Sequence, residues 1–404
     1  MNDLISLAWI GICTALVFFM QAGFALLECG LVRAKNSVNV ILKNYANTCV
    51  VGIAFWIVGN GMVFGTSLGG WMGASGYWPD KLDSAAAINL LYQTMFASAA
   101  AAIVSGAVAE RIRFSAYLTA AVVIGAVIYP VFGHWAWNPN GWLKTIGFVD
   151  FAGGSVVHSM GAWCSLAAII ALGPRLGRFG KNGEARDIPG HNLPMVTLGG
   201  FILWLGWFGF NGGSVPDFGT SNTGIVLLNT HLGGCVGAVG AMVFQRLTRR
   251  PILMTTTINA SLCGMVAVTG GALFLTPMTA AFTALVAGML SILGAELLRR
   301  FQIDDAVDAI AVHGMGGVWG TIAVGLFYNG DMFSSQRLMI QLLGVAACFA
   351  WTFPVAFLTF KVLDRALGIR SSSLNEQRGL DYTEHAELGY PEFQKSPAQL
   401  KMEG

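Results

Sequence analysis

Two histidines lie in matching contexts in the two halves of this chain. Asp150 and His158, and again Asp305 and His313, form the pattern D-x7-H-x-M-G, and the copies are 155 positions apart. Each histidine lies in an otherwise apolar segment. A neutral imidazole donates a hydrogen bond from one ring nitrogen and accepts one at the other, and it titrates near neutral pH. Two imidazoles bonded to each other would suit a small neutral polar solute and could relay a proton.

Each of these residues also has a structural interpretation. An intramembrane histidine can serve as a hydrogen-bond partner between packed helices, but recurrence in both halves favours a function. Asp150 and Asp305 lie a little over two helical turns before their histidines, where a carboxylate can cap exposed N–H groups. We therefore predict that both aspartates are helix caps. For Glu28, near Arg33, we expect a packing or pairing role.

The composition predicts that these residues lie in a membrane. Of 404 residues, 55% are hydrophobic and 11% are charged, too few polar side chains to cover a soluble globule. The 52 glycines predict close helix packing. The net charge of +2 gives no reason to expect a nucleic acid partner. The cysteines have no metal-ligand spacing, so we expect neither a metal nor a cofactor.

Eleven apolar segments have about the 20 residues that a membrane-spanning helix needs. They are expected near 4–27, 45–65, 89–109, 114–132, 151–172, 195–213, 222–244, 252–274, 279–298, 307–328 and 338–363. Loops on one side hold 14 Lys and Arg residues and those on the other hold 3, which predicts an outside N-terminus and a cytoplasmic C-terminus. Each D-x7-H copy lies in the fifth helix of a five-helix half, so the halves must have opposite orientations.

The predicted fold is therefore an all-α integral membrane protein with eleven transmembrane helices. It comprises two inverted five-helix repeats, about 1–172 and 195–328, and an extra helix at about 338–363. These make a transmembrane domain over 1–364. The polar residues 365–404 are predicted to form a cytoplasmic C-terminal tail.

Aromatic residues form a second group that could bind a ligand. They lie before the fifth helix and at the end of the sixth, and they are Trp135, Trp137, Trp204, Trp207, Phe208 and Phe210. Most aromatic residues at such positions mark the membrane interface. An aromatic face also attracts a cation, by about 0.5–2 kcal/mol, and Ser214 could add an oxygen ligand. This group is a candidate recruitment site for a monovalent cation.

Several long motifs then point to one family. They are AGFALLECG at 22–30, AERIRF at 109–114, DFAGGSVVH at 150–158, HNLPMV at 191–196, GWFGFNGGS at 206–214 and VHGMGG at 312–317. With these motifs the sequence resembles the Amt/Mep/Rh ammonium transporter superfamily, on the prokaryotic Amt branch, over essentially its whole length.

The resemblance implies roles for particular residues. The outer ammonium site would be made by Trp137, Phe96 and Ser214, and the gate by Phe96 and Phe210. The pore would be lined by His158, His313 and Trp207, with Asp150 ordering the vestibule below the outer site. NH₄⁺ would lose its proton at the outer site, and NH₃ would cross with the proton transferred separately.

The resemblance also implies partners and a location. It implies a homotrimer with one pore per subunit in the bacterial plasma (inner) membrane, with ammonium and ammonia as substrates and methylammonium as a further candidate. A cytoplasmic PII-type regulatory protein would dock on the Arg175 to Arg186 loop and the tail. A transporter is expected, not an enzyme.

Four alternatives stay open at this point. Trp135 could take the place of Trp137, because three tryptophans lie close together there. Tyr92, one turn before Phe96, could make the outer mouth more polar. The chain could belong to an ammonium sensor whose signalling domain follows Gly404. An enzyme with a metal on the two histidines would need a third ligand, which does not occur at helical spacing beside either one.

Overall fold

The structure is a computed structural model that describes residues 2–215 and 222–392, with side chains from Leu4 onward. Within these residues, ten helices are long and apolar enough to cross a membrane, and each matches a predicted segment. The segment predicted at 252–274 is also a helix, Met254–Thr269, of 16 residues. The prediction of an all-α membrane protein is confirmed.

The described part of the first half contains five long helices besides two short helical turns, Ala34–Asn36 and Trp142–Thr145. The long helices are α1 (Asn2–Leu31), α2 (Ser37–Ala54, continued by Phe55–Gly59 and Asn60–Phe64), α3 (Ser84–Ala107), α4 (Phe114–Val123, continued by Ile124–Ile128 and Tyr129–Trp137) and α5 (Gly154–Ser159 and Met160–Leu172). A short hairpin of β1 (Ser67–Leu68) and β2 (Met72–Gly73) lies between α2 and α3.

The second half has the same number of helices, followed by one more. They are α6 (Leu193–Gly212), α7 (Thr223–Leu247), α8 (Met254–Thr269), α9 (Pro277–Arg300), α10 (Ile310–Met315 and Gly316–Phe327) and the additional helix α11 (Ser335–Leu367). Two short helices follow, α12 (Ser373–Arg378) and α13 (Leu380–His385). We use "outer" and "cytoplasmic" for the two faces according to the predicted orientation.

The two halves meet along their first helices, α1 and α6, which form an extensive helix pair. Glycines make this approach possible. A Cβ added to Gly199 would lie 2.5 Å from the Leu27 backbone nitrogen, and one added to Gly209 would lie 2.7 Å from the Cys13 carbonyl oxygen. Small residues at such contacts let helices pack in lipid, where no hydrophobic effect pulls them together.

Helices α2 and α8 have ends that differ from the predicted ones for reasons visible in the structure. Helix α2 begins at Ser37 rather than near 45, because its polar first turns are buried in the protein rather than exposed to lipid: Asn39, Lys43 and Asn44 are at most 1% exposed. Helix α8 ends at Thr269 rather than 274. There the chain turns, and Gly270 accepts a hydrogen bond from the Phe151 N–H at 2.9 Å, which joins α8 to the start of α5.

The described part of the predicted tail, up to residue 392, packs on the cytoplasmic face through α12 and α13. Leu380 and Asp381 are fully buried. The Asp381 carboxylate accepts hydrogen bonds from the Asn39 N–H at 2.8 Å and the Ser37 hydroxyl at 3.2 Å. These hydrogen bonds therefore connect the start of α2 to the described part of the tail.

Candidate functional site

The predicted outer site brings together side chains from α3, α4 and the end of α6. The Phe96 ring lies 6.1 Å from the Trp137 ring, centroid to centroid and nearly perpendicular, and 4.7 Å from the Tyr92 ring. The Tyr92 hydroxyl donates to the Phe210 carbonyl oxygen at 2.7 Å and lies 3.3 Å from the Ser214 hydroxyl. An aromatic wall and two hydroxyl oxygens thus face the same place, which suits a small monovalent cation.

Trp135 lies elsewhere, against other aromatic rings. Its ring packs against Trp71, Trp142 and Trp351 at centroid distances of 5.5–5.6 Å, and its indole N–H donates to the Trp71 carbonyl oxygen. The tryptophan beside Phe96 is therefore Trp137. Sequence could not make this choice, since both residues lie on the last turns of α4.

Directly inward of the outer site, the rings of Phe96 and Phe210 are stacked. Their centroids are 4.0 Å apart and the ring planes are inclined by 27°. Both side chains are buried, at 1% and 0% exposure. Ring faces at this distance are in van der Waals contact. An ion must therefore displace a ring in order to pass between them.

The twin histidines lie beyond this stack. Nδ1 of His158 is 3.2 Å from Nδ1 of His313, and the rings are inclined by 13°. One Nδ1 must therefore carry the proton of this hydrogen bond while the other accepts it. The Nε2 atom of His158 is buried without a hydrogen-bond partner among the described residues. This pairing uses the Nδ1 atoms and leaves Nε2 of His158 available for another hydrogen bond.

Further aromatic rings line the path on both sides of the histidines. Trp207 stacks on His158 at 5.3 Å, with its indole N–H bonded to the Thr269 hydroxyl at 2.9 Å. Phe24 lies 6.4 Å from His313 on the cytoplasmic side. Because the indole N–H is already bonded to Thr269, Trp207 contacts His158 with its ring face. The lining around the two imidazoles is therefore mainly apolar.

Both histidines lie in π-helical turns, Gly154–Ser159 and Ile310–Met315. Such turns widen a helix locally and are frequent at functional sites. In α5 the wide turn follows Gly153, whose φ of 104° favours glycine. The two turns lie beside each other, and the Ser155 hydroxyl is 2.7 Å from that of Thr321 in α10. This arrangement brings the two imidazoles close to each other.

The aspartates of the repeated motif are helix caps, as predicted. Asp150 accepts four backbone hydrogen bonds of 2.7–3.0 Å, from residues 153 and 154 on one oxygen and from residues 155 and 156 on the other. Its own carbonyl oxygen accepts the Trp137 indole N–H at 2.8 Å. Asp305 accepts two, at 2.6 Å from Ile310 and 3.4 Å from Val307. Asp150 therefore connects the histidine turn to the outer site.

A vestibule of about 570 Å³ opens on the cytoplasmic side of the histidines. Asp305, Asp308 and Arg299 are among its lining residues. Burial and the neighbouring charge of Asp308 raise the pKa of Asp305 to about 7. Between the vestibule and His313 lies a cavity of about 20 Å³, and Asn259, Val307 and Val312 line both spaces. The small cavity therefore adjoins both His313 and the vestibule.

A buried ionic cluster on the cytoplasmic side was not expected from sequence. Asp304 accepts two hydrogen bonds from the Arg175 guanidinium, at 2.8 and 2.9 Å, and its carbonyl oxygen accepts one from Arg111. Burial raises the pKa of Asp304, but Arg175 and Arg111 outweigh burial and hold it below its usual value. The clustering of Arg and Asp in short cytoplasmic loops was visible, but the pairing was not. It joins the loop after α5 to the loop before α10.

The packing or pairing expected of Glu28 does not involve the nearby Arg33. Arg33 donates to Glu110 from its Nε atom at 2.7 Å, because helix α1 ends at Leu31 and the following turn points Arg33 toward the loop after α3. Glu28 is buried within the fold, where its Oε2 accepts a hydrogen bond from Asn44 at 2.8 Å.

Comparison with known proteins identifies the family. Residues 8–390 match the model of the Ammonium Transporter Family. The chain belongs to this family. It is 38% identical to ammonium transporter Amt2 of Archaeoglobus fulgidus over 98% of this chain and 91% of that protein.

Solved structures give the same result. A structure titled "Sensor Amt Protein" superposes with a TM-score of 0.92 at 38% identity, covering 95% of this chain and 99% of that one. The Mep2 structure of Saccharomyces cerevisiae superposes with a TM-score of 0.84 at 26% identity, covering 92% and 88%. Members of this family are transporters, and this chain is a multi-pass membrane protein with an ammonium transporter's fold. The transporter relatives favour transport over the sensor alternative.

Proposed function

We propose that this ammonium transporter separates its substrate into NH₃ and H⁺. NH₄⁺ is held at the outer site by the Trp137 and Phe96 rings and the Ser214 hydroxyl, and it loses a proton before the Phe96 and Phe210 gate. NH₃ then passes His158 and His313, and the proton crosses separately. The observation that carries this proposal is a hydrogen-bonded pair of imidazoles directly behind a closed aromatic stack.

Ion selectivity follows from the cost of desolvation. Potassium and ammonium ions have similar size and charge, so an aromatic cage alone cannot separate them well. Moving an unpaired charge into an apolar passage costs many kcal/mol, whereas a neutral polar molecule costs only a few. Ammonium avoids the larger cost by giving up a proton. Potassium has none to give, and the closed stack excludes it.

Inside the pore, each imidazole can accept a hydrogen bond from NH₃ or donate one to it. The shared proton between the Nδ1 atoms determines which Nε2 is a donor and which is an acceptor. The two roles exchange only when that proton shifts and an Nε2 proton also passes, in the opposite direction, from the donor ring to the acceptor ring, because either transfer alone would leave one ring cationic and the other anionic. NH₃ can therefore move from His158 to His313 while keeping a polar partner, which lowers the cost of crossing the apolar passage.

The same proposal extends to assembly and partners. Residues 1–364 form the transporting unit, three copies assemble as a homotrimer, and residues 365–404 with the Arg175 to Arg186 loop dock a PII-type protein. The exposed face of α6 and α7 supports assembly, since His231 is exposed in mid-helix beside Trp204. An imidazole facing lipid is unfavourable. A second copy of the chain would cover it. Methylammonium is a further substrate on this proposal, and the plasma membrane is the location.

The test is the current evoked by ammonium in proteoliposomes, measured for the wild type and for His158→Ala/His313→Ala. We expect a saturable current with ammonium and none with potassium. The double variant should lose the current or lose selectivity. His385→Ala, a histidine of α13 on the cytoplasmic face, is the matched control and should keep the wild-type current. Ammonium binding without current in the wild type would contradict the proposal and favour sensing or conduction of NH₃ alone.

A further inference from the structure

Glu28 is a carboxylate that the mechanism above does not use, and its position is unusual. It lies in the last turns of α1, is 2% exposed, and lines the small cavity that also touches His313. The remaining lining of this cavity is mainly apolar and includes Phe24 and Leu262. A carboxylate in such surroundings is costly unless it has partners and a purpose.

The carboxylate has partners on the side away from the pore. Asn44 donates to it at 2.8 Å, and the same amide lies 3.4 Å from the Ser105 hydroxyl. Lys43 is fully buried and donates to the Ser105 carbonyl oxygen at 3.2 Å, close enough for its charge to attract that of Glu28. Its ammonium group also lies 5.5 Å from the Tyr117 ring. Glu28 and Lys43 are thus two buried side chains of opposite charge type that attract each other behind the cavity wall without forming a salt bridge.

The fold makes room for this carboxylate beside the pore. Gly106 lies against it, and a Cβ added there would lie 3.1 Å from the Glu28 carboxyl carbon and 2.6 Å from a Val307 methyl. Val307 lines both the cavity and the vestibule. Any larger residue at 106 would therefore displace Val307 or Glu28. The absence of a side chain at 106 therefore keeps the carboxylate at the edge of the cavity.

The cavity has the volume and the polar lining of a water site. About 10–15 Å³ suffices for one water molecule if it has two or more polar partners, and this cavity measures about 20 Å³. Glu28, His313 and Asn259 provide those partners. One water there would bridge the imidazole to the carboxylate.

From this arrangement we propose that Glu28 carries the proton from the twin histidines to the cytoplasmic vestibule. This inference rests on the proposed separation of NH₃ and H⁺. A proton on His313 passes to the bridging water as that water gives one of its own to Glu28, which leaves a neutral imidazole and a carboxylic acid. Glu28 then returns its proton to water in the small cavity, which passes one on to vestibule water where Asn259 and Val307 line both spaces, and that water protonates NH₃ to NH₄⁺. The positive charge of Lys43 favours this release because it stabilises the carboxylate.

The experiment separates charge movement from NH₃ entry in the same proteoliposomes. An internal pH dye reports alkalinisation when NH₃ enters alone and takes up a proton inside. For Glu28→Gln, which keeps an oxygen acceptor for Asn44, we expect the ammonium current to fall about a hundredfold, as for loss of a general acid or base. Alkalinisation above that of protein-free liposomes should persist or increase. Glu28→Asp, which retains an acid, should recover part of the current.

A second variant tests whether the current is lost only because the substitution disturbs the structure. Glu28→Gln leaves Lys43 without its charge partner, so Glu28→Gln/Lys43→Met removes both charges and should fold with a near-normal melting temperature. We expect it also to lack the current while it admits NH₃. A normal current in either variant would overturn the inference. Loss of NH₃ entry together with current in the folded double variant would also overturn it, since Glu28 would then shape the pore.

The wild type tests the proposal beneath the inference. The proposed function and the role of Glu28 are both supported if the wild type shows current and NH₃ entry and Glu28→Gln loses the current. Wild-type current with an unaffected Glu28→Gln variant refutes the role of Glu28 alone. Alkalinisation without current in the wild type refutes separate proton transfer and the inference with it. Glu296→Gln is the matched control for charge removal. Glu296 is a partly exposed carboxylate that pairs with Arg250, on the cytoplasmic side of α7.

Discussion

Asp150→Ala should cost the protein both stability and its outer site. The Asp150 carboxylate accepts four backbone hydrogen bonds at the first turn of α5. Each buried N–H left without a partner costs about 1–3 kcal/mol, so the substitution should destabilise the protein by about 4–12 kcal/mol on the same basis. Asp150→Asn keeps one oxygen and should lose roughly half as much.

Loss of the cap should also reach the substrate site, because the Asp150 carbonyl oxygen holds the Trp137 indole at 2.8 Å. A displaced turn would move Trp137 away from Phe96. The assay is a thermal unfolding curve in detergent, followed by tryptophan fluorescence, together with ammonium current in proteoliposomes. We expect a large fall in melting temperature and loss of current for Asp150→Ala, with Asp150→Asn between it and the wild type.

The matched comparison is Asp305→Ala, in the second copy of the motif. This carboxylate accepts two backbone hydrogen bonds rather than four, one of them long at 3.4 Å. Its loss should therefore cost about 2–6 kcal/mol. If Asp305→Ala destabilises the protein more than Asp150→Ala, or if Asp150→Ala melts like the wild type, the count of hydrogen bonds does not decide the stability of these turns.

Three further predictions concern the gate and the cytoplasmic face. Phe210→Ala removes half of the stack with Phe96, so water should enter and potassium-evoked current should rise above the wild-type background; an unchanged potassium current would contradict a gate. Burial raises the pKa of the Asp305 carboxyl from its ordinary 3.8 to about 7, so the folded state binds the carboxyl proton more tightly than the unfolded state does. The free energy of unfolding should therefore fall as the pH rises from about 4 to about 7, by on the order of 4 kcal/mol. Asp305→Asn should remove this fall in stability, which is measured by comparing melting temperatures at pH 5 and pH 8. An equal fall in the variant would show that other groups cause the pH dependence. Asp304→Asn breaks the paired hydrogen bonds to Arg175 and should cost about 3–5 kcal/mol, measured by thermal unfolding at pH 7; a wild-type melting temperature would show that the cluster is not needed for stability.

Much of the fold could be predicted because hydropathy along one helix is a local property. Eleven apolar segments, a glycine-rich composition and the repeated D-x7-H motif are properties of short stretches of chain. The boundaries that were wrong lie where a helix meets protein rather than lipid. Lys43 and Asn44 are polar, so hydropathy excludes them from a span, yet both are buried in α2 against α1 and α3.

The candidate site was predictable to a lesser degree. The histidines were found because the repeat marks them, and the aromatic residues because the family resemblance assigns them. For Glu28, which is near Arg33 in the sequence, a packing or pairing role was expected. In the structure the end of α1 turns Arg33 toward Glu110, while Glu28 faces inward. Proximity along the chain does not determine which side of a helix a residue occupies relative to its neighbours.

The sequence by itself determined that this protein is a two-fold repeated bundle of membrane helices with one histidine in each half, because composition and spacing are sufficient for those conclusions. Only the tertiary structure decided that the two Nδ1 atoms are 3.2 Å apart, that Trp137 rather than Trp135 faces Phe96, and that Glu28 borders the pore. Those relations depend on how far each helix is rotated and where it crosses the next one. Rotation and crossing are set by the packing of the whole bundle, to which every helix contributes.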